Sequence, residues 1–164
     1  MNNSNRTQKT KSIEDDWGGV HGYTLTLHPA EDGFNLLPRL TKILGPSLGT
    51  IIGAVNGLGE EGVADADIDG DALGRAIGTL ATEIIAAGSA TLLKEILAHA
   101  TRVNDDGQEQ KVAQHFGRIY QGNYGELAAA VAWVLAENFG PFFRKHLGGA
   151  LSKLPAHFQV EFSS

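Results

Sequence analysis

Residues 120–143 read YQGNYGELAAAVAWVLAENFGPFF, Tyr120 to Phe143, and the reading of this stretch decides the architecture of the chain. Leu127 to Ala136 is an unbroken apolar run. A helix this apolar around its circumference is either the centre of a core or partly covered by another chain. Gly122 and Asn123 supply a turn and an N-cap, and Glu126 sits at the third helical position, where it can cap back. At the far end Gly140-Pro141 follows Phe139, and proline disfavours helical geometry in the residue before it. The pattern predicts a helix of about four turns, a break, and the aromatic pair Phe142-Phe143. Tyr124, Leu127, Val131, Val134, Leu135 and Asn138 form one stripe; Trp133 falls on the other side with Glu126, Ala130 and Glu137.

Upstream, Asn104-Asp105-Asp106-Gly107 is a turn signal between two short extended runs, Thr101–Val103 and Gln108–Val112, and predicts a small hairpin. A short helix over Ala113–Tyr120 would turn Phe116, Ile119 and Tyr120 inward. Earlier still, Leu73, Ile77, Leu80, Ile84 and Ile85 share one face of a helix beginning near Asp71. Gly88-Ser89 breaks that pattern before a further helix through Leu92, Leu93, Ile96 and Leu97. Residues 56–70, NGLGEEGVADADIDG, read as a mobile acidic loop, and Leu48–Val55 as a short apolar element after the Gly45-Pro46-Ser47 break.

Near the start, Tyr23, Leu25 and Leu27 alternate with Thr24, Thr26 and His28, the period of a half-buried strand. Phe34, Leu36, Leu37, Leu40, Ile43 and Leu44 then follow at helical spacing, with Pro38 marking a start or a kink. Beyond the apolar stretch, Pro141–Leu154 can form a last helix, and Phe158, Val160 and Phe162 alternate as a strand that could pair with Tyr23–Leu27. The polar opening predicts a disordered N-terminal arm over residues 1–18, followed by a single domain over 19–164. The expected class is mainly α (α+β): a compact helical domain with a small β-hairpin and one or two short strands.

The 164 residues suffice for one domain with a real core, and the net charge of −6 with pI near 5.4 argues against a nucleic-acid partner. No cysteine is present, so disulfides and thiolate zinc ligation are excluded. MNNSNRTQKTKS lacks the apolar centre of a signal peptide, and no run approaches the roughly 20 apolar residues that span a bilayer. No membrane association is expected, and the expected setting is an intracellular one.

Asp65-Ala-Asp67-Ile-Asp69-Gly70 opens like a calcium-binding EF-hand loop, but Ala76 stands where the bidentate glutamate belongs. A solvated loop leading into an acidic helix start accounts for the run. The six histidines, at 21, 28, 99, 115, 146 and 157, form no close ligand pair in sequence. Gly45-Pro-Ser-Leu-Gly49-Thr lacks the lysine of a phosphate-binding loop, and Ser47 and Ser89 have no nucleophile-elbow context. The residues therefore suggest neither an enzyme nor a metal or cofactor protein. A binding role remains, through Trp133 on a helix face bounded by charges, through Phe139, Phe142 and Phe143, or through the Phe34, Leu37, Leu40 stripe.

Three stretches, GYTLTLHPAEDGF at Gly22–Phe34, ILAHATR near residue 100, and above all YQGNYGEL…NFGPFF, resemble the tail assembly chaperones of tailed bacteriophages of the siphophage type. The resemblance runs in order over about Gly22–Leu154; the polar arm, the acidic loop and the HFQVEF ending depart from it. It implies a non-enzymatic protein that binds the tape measure protein and recruits tail tube subunits during tail morphogenesis. It also implies residence in the host cell cytoplasm and absence from the mature virion, and in many members a longer frameshifted form. Self-association into a homo-oligomer is compatible with it. The alternative is a minor structural or adaptor protein of the tail that is retained in the virion.

Overall fold

A computed structural model of the chain describes residues 7–40, 42–43, 78–79, 81–87 and 89–150, residues 141–150 as helix backbone alone. The period-2 segment is a strand, β2 (Val20–Thr26), with His21, Tyr23 and Leu25 buried and Val20, Gly22 and Thr26 facing out. β1 (Gln8–Glu14) pairs with it antiparallel along its whole length, from Gln8↔Thr26 to Glu14↔Val20. On the other edge β3 (Ala100–Val103) pairs Tyr23 with Arg102 and Leu25 with Ala100. β4 (Glu109–Lys111) closes the order β1-β2-β3-β4 by pairing Thr101 with Lys111 and Val103 with Glu109. This register brings the β1–β2 and β3–β4 turns to the same end of the sheet. Gly18 and Gly107 carry positive φ, 88° and 77°, in those two turns.

Helices cover one face of this sheet. In chain order they are α1 (residues 30–40), α2 (81–86), α3 (Ala90–Ile96), α4 (Phe116–Ile119) and α5 (Tyr124–Ala150). Ser89, which the sequence reads as a break, is the N-cap of α3: its Oγ accepts the Leu92 N–H at 3.2 Å. α5 supplies Leu127, Ala130, Val131, Trp133, Val134 and Leu135 to the core. They meet Tyr23 and Leu25 from the sheet, Leu36 and Leu40 from α1, and Leu92, Leu93 and Ile96 from α3. Each large apolar side chain so covered contributes about 1.5–3 kcal/mol.

Several expectations are corrected. The fold is not mainly helical: it is α+β with a prominent four-stranded antiparallel sheet. The difference is largely β1, whose single buried residue is Ile13, so no apolar alternation announces it. Its hydrogen bonds to β2 make residues 8–14 an edge strand where the polar composition suggests an arm. Gly140-Pro141 does not end the helix; α5 runs through it to Ala150. The pre-proline clash involves the backbone N–H and the Cβ of the preceding residue, and Gly140 lacks the second. α1 also runs without interruption through Pro38, although Leu37 before it has a Cβ, so the proline bias is overridden there too. At Tyr23–Leu25 β2 is flanked by both β1 and β3, so that part of the strand has no edge left for a Phe158–Phe162 strand. The residues of that tail strand, the acidic loop, the Asp65–Asp71 run and the Leu48–Val55 element lie outside the described residues.

Candidate functional site

The two hairpin turns and the N-terminus of α5 converge at one end of the sheet, and the polar groups there are interlocked. Asp15 organises the first turn: its Oδ1 accepts the N–H groups of Trp17 at 2.9 Å and Gly19 at 2.8 Å. Its Oδ2 lies 2.7 Å from His21 Nε2, which donates because an ionised carboxylate can only accept. That hydrogen bond, opposed by burial and reinforced by the two backbone N–H groups, holds the Asp15 carboxyl below its ordinary range.

Asp16 caps α5 from 109 residues away in sequence. Its carboxylate accepts the Gly125 N–H at 3.1 Å and the Glu126 N–H at 3.2 Å, while its own N–H donates to Asn123 Oδ1 at 3.0 Å. Two donors that a helix start leaves unpaired are thereby satisfied, and a negative charge sits on the positive end of the helix dipole. The cap expected locally from Asn123 is thus supplied by the β1–β2 turn.

Glu126, read from the sequence as a capping residue that shares a helix face with Trp133, is fully buried. Arg102 donates to it from Nε at 2.7 Å and from Nη2 at 3.2 Å, and the Tyr23 hydroxyl donates at 2.5 Å. Asn123 Nδ2 donates to its other oxygen. Tyr120 adds a hydroxyl contact to Tyr23 at 3.3 Å. Burial, with Glu126 alongside, pushes both phenols well above their usual range and keeps them neutral donors. Burial alone would depress Arg102, but the hydrogen bond and charge of Glu126 outweigh it and raise its pKa. Every oxygen of Glu126 is engaged, so the cluster braces β2, β3 and α5 and offers no free base. One ligand atom each from Asp15, His21 and Glu126 lies within 4.8 Å of the others. A cation there would have to displace Arg102 and the His21–Asp15 bond, so these residues do not fit a metal.

A second polar group ties α1 and α3 to the end of β2. His28 donates its backbone N–H to Asn138 Oδ1 at 2.8 Å, and its Nε2 lies 3.2 Å from the Glu95 carbonyl. Nε2 must carry the proton to donate to a carbonyl, which leaves the buried Nδ1 with no partner among the described residues. The His28 and His99 rings meet edge to face at 4.7 Å, and His99 Nε2 lies 2.9 Å from Asp32. Burial lowers the His28 pKa, so the ring stays neutral.

The residues that the sequence offers for partner binding are dispersed. Trp133 is 6% exposed and packs edge-on against Tyr23, ring centroids 6.3 Å apart. Phe139 and Leu40 are also buried, Phe139 lying against Gly33 of α1, and Leu37 is half-buried. Phe34 stands 77% exposed on the outer side of α1. The side chains of Phe142 and Phe143 lie outside the described residues. What the sequence reading passes over are Trp17 and Tyr124, 71% and 65% exposed at the converged end. By sequence Tyr124 belongs to the stripe of Leu127 and Val131, and Trp17 to the polar arm; a tryptophan inside DDWGG, between turn formers, is the signal that marks it.

No helix among the described residues is long and apolar enough to cross a membrane. A family model described as "Phage tail assembly chaperone protein, TAC" matches residues 18–152. No curated protein and no solved structure matches the chain.

Proposed function

The chain belongs to the phage tail assembly chaperone family, and from that premise we propose that it binds the tape measure protein and recruits tail tube subunits to it in the host cell cytoplasm. The observation that carries this reading is the family match, which covers β2, β3, β4 and the whole of α5. Its partners are phage tail proteins, and its role as a chaperone is a non-enzymatic one.

The physics of the task supports the finer reading. A tape measure protein built of long apolar helices exposes surface that self-associates before tube subunits cover it. A chaperone shields such a helix by offering apolar side chains of its own, and Phe34 on α1 is one that its own core leaves uncovered. The acidic body discourages non-specific association with DNA during assembly.

Co-expression of the phage's tape measure protein with and without this chain tests the proposal. The expected outcome is a tape measure protein that is soluble and co-purifies with the chaperone, and aggregates when expressed alone. Tape measure protein equally soluble in both cultures, with nothing captured, would sink it. Mass spectrometry of purified particles should find the chain missing from the virion; a stoichiometric amount there would favour a tail adaptor retained in the particle.

A further inference from the structure

Four large apolar side chains stand exposed among the described residues: Trp17, Val20, Phe34 and Tyr124. Scattered single residues of this kind need no explanation. Trp17 and Tyr124, however, share the end where the β1–β2 turn meets the start of α5, and Val20 leaves the same turn.

Trp17 is held in place. Its N–H is fixed by Asp15, Asp16 is tied to the helix N-terminus, and the indole ring lies over Gly122, 3.8 Å from where a Cβ would be. Gly122 itself has φ +67°, so a larger residue there would be strained as well as crowded. An exposed aromatic ring already ordered loses little freedom on binding, and such rings dominate binding hot spots.

The charge of this end is one-sided. The three segments that meet there, residues 12–24, 103–110 and 119–126, contain no lysine or arginine but carry Glu14, Asp15, Asp16, Asp105, Asp106, Glu109 and Glu126. Glu126 is neutralised by Arg102, Asp16 sits on the positive end of the helix, and Asp15 is hydrogen-bonded to His21. Glu14, Asp105, Asp106 and Glu109 remain exposed, with no lysine or arginine paired to them among the described residues. Asp105 has 92% of its side chain in solvent, 3.8 Å from His21 Nδ1, which places it at the Asp15 turn.

We propose that this end, with Trp17 and Tyr124 as anchors and Asp105 and Asp106 as its rim, docks a lysine- or arginine-bearing segment of a tail protein. A cation over the Trp17 face gains from the ring quadrupole, and the uncompensated carboxylates attract it further. The identity of the partner rests on the chaperone reading above; the surface and its chemistry rest on the geometry.

Overlapping synthetic peptides spanning the phage's tape measure and tail tube proteins are titrated against the full chain and against Trp17→Ser and Asp105→Lys/Asp106→Lys variants. Thermal melting confirms that each variant is folded. The peptides retained should bear lysine or arginine, and they should weaken as salt rises from about 50 to about 300 mM. Trp17→Ser and the double charge reversal should each lower affinity about tenfold or more. Equal binding by wild type and Trp17→Ser overturns the surface and leaves the chaperone reading standing. Should no tail peptide bind, the chaperone reading fails, and the cationic peptide KLAKLAKKLAKLAK then judges the surface alone. Quenching of tryptophan fluorescence that disappears in Trp17→Ser supports it, and quenching that persists, or none in wild type, overturns it.

Discussion

Arg102 on β3 grips Glu126 on α5 through two hydrogen bonds, 2.7 Å from Nε and 3.2 Å from Nη2, where the carboxylate has no solvent exposure. The pair welds the sheet to the start of the long helix. A single substitution of Arg102 leaves a buried charge uncompensated.

Replacing Arg102 by Met strands a buried carboxylate and should cost about 3–5 kcal/mol in urea unfolding. Glu126→Gln should cost less, because the amide still accepts from Tyr23. The double variant Arg102→Met/Glu126→Leu should recover most of the loss, since a buried pair replaced as a unit is often near neutral. Loss in the double variant equal to the sum of Arg102→Met and Glu126→Leu measured singly would show that the two act separately.

Asp16→Ala removes the remote cap of α5 and should destabilise by about 1 kcal/mol. Gly125→Ala should do comparable damage, because its Cβ would press against the Asp16 carboxylate. Amide exchange should quicken selectively at Gly125 and Glu126 in both variants. Asp16→Asn, which keeps the acceptor and drops the charge, should fall between.

Trp133 and Phe34 should separate stability from binding. Trp133→Ala opens a cavity beneath Tyr23 and should cost about 3–5 kcal/mol. Phe34→Ala, on the exposed side of α1, should stay within about 0.5 kcal/mol of wild type. Under the function proposed above, Phe34→Ala should nevertheless reduce capture of the tape measure protein.

Stability should decline with acid in two stages. His28 is neutral in the fold with its pKa lowered by burial, so on acidification the unfolded chain takes up its proton first. Its contribution is complete above an unfolded value of about 6.5 and is lost as pH falls towards the depressed folded one. The groups around it are His99, Asp32 and the Glu95 carbonyl. The lowered Asp15 carboxyl adds stability above its ordinary value of 3.8, lost as pH falls through the folded value. Urea midpoints from pH 7.5 down to 5 report the first stage, which should flatten in His28→Gln.

The elements legible from the sequence are those whose own periodicity carries the information. β2, the β3–β4 hairpin and the apolar body of α5 all announce themselves within a window of about ten residues. β1 does not, because Thr10, Lys11 and Ser12 owe their strand to pairing opposite Thr24, Tyr23 and Gly22 and bury almost nothing. Continuity through Gly140-Pro141 is not legible because the proline rule states a bias and not a bar, and helices run through both Gly140-Pro141 and Leu37-Pro38. At the site, NYGE marks a helix start correctly, yet its cap and counter-ion come from Asp16 and Arg102 on other elements.

By itself, the sequence determined that this is a cysteine-free acidic chain with one dominant apolar helix, and it carried the motifs of a tail assembly chaperone. Those properties are local or additive, so they survive without coordinates. The tertiary structure alone decided that Glu126 lies inside while Tyr124, two residues before it, lies outside. Helix geometry separates such neighbours by about 200°, and which side becomes interior depends on where the sheet lies. That, in turn, was set by Arg102 and Tyr23 arriving from strands far away in the chain to satisfy a carboxylate that could not otherwise be buried.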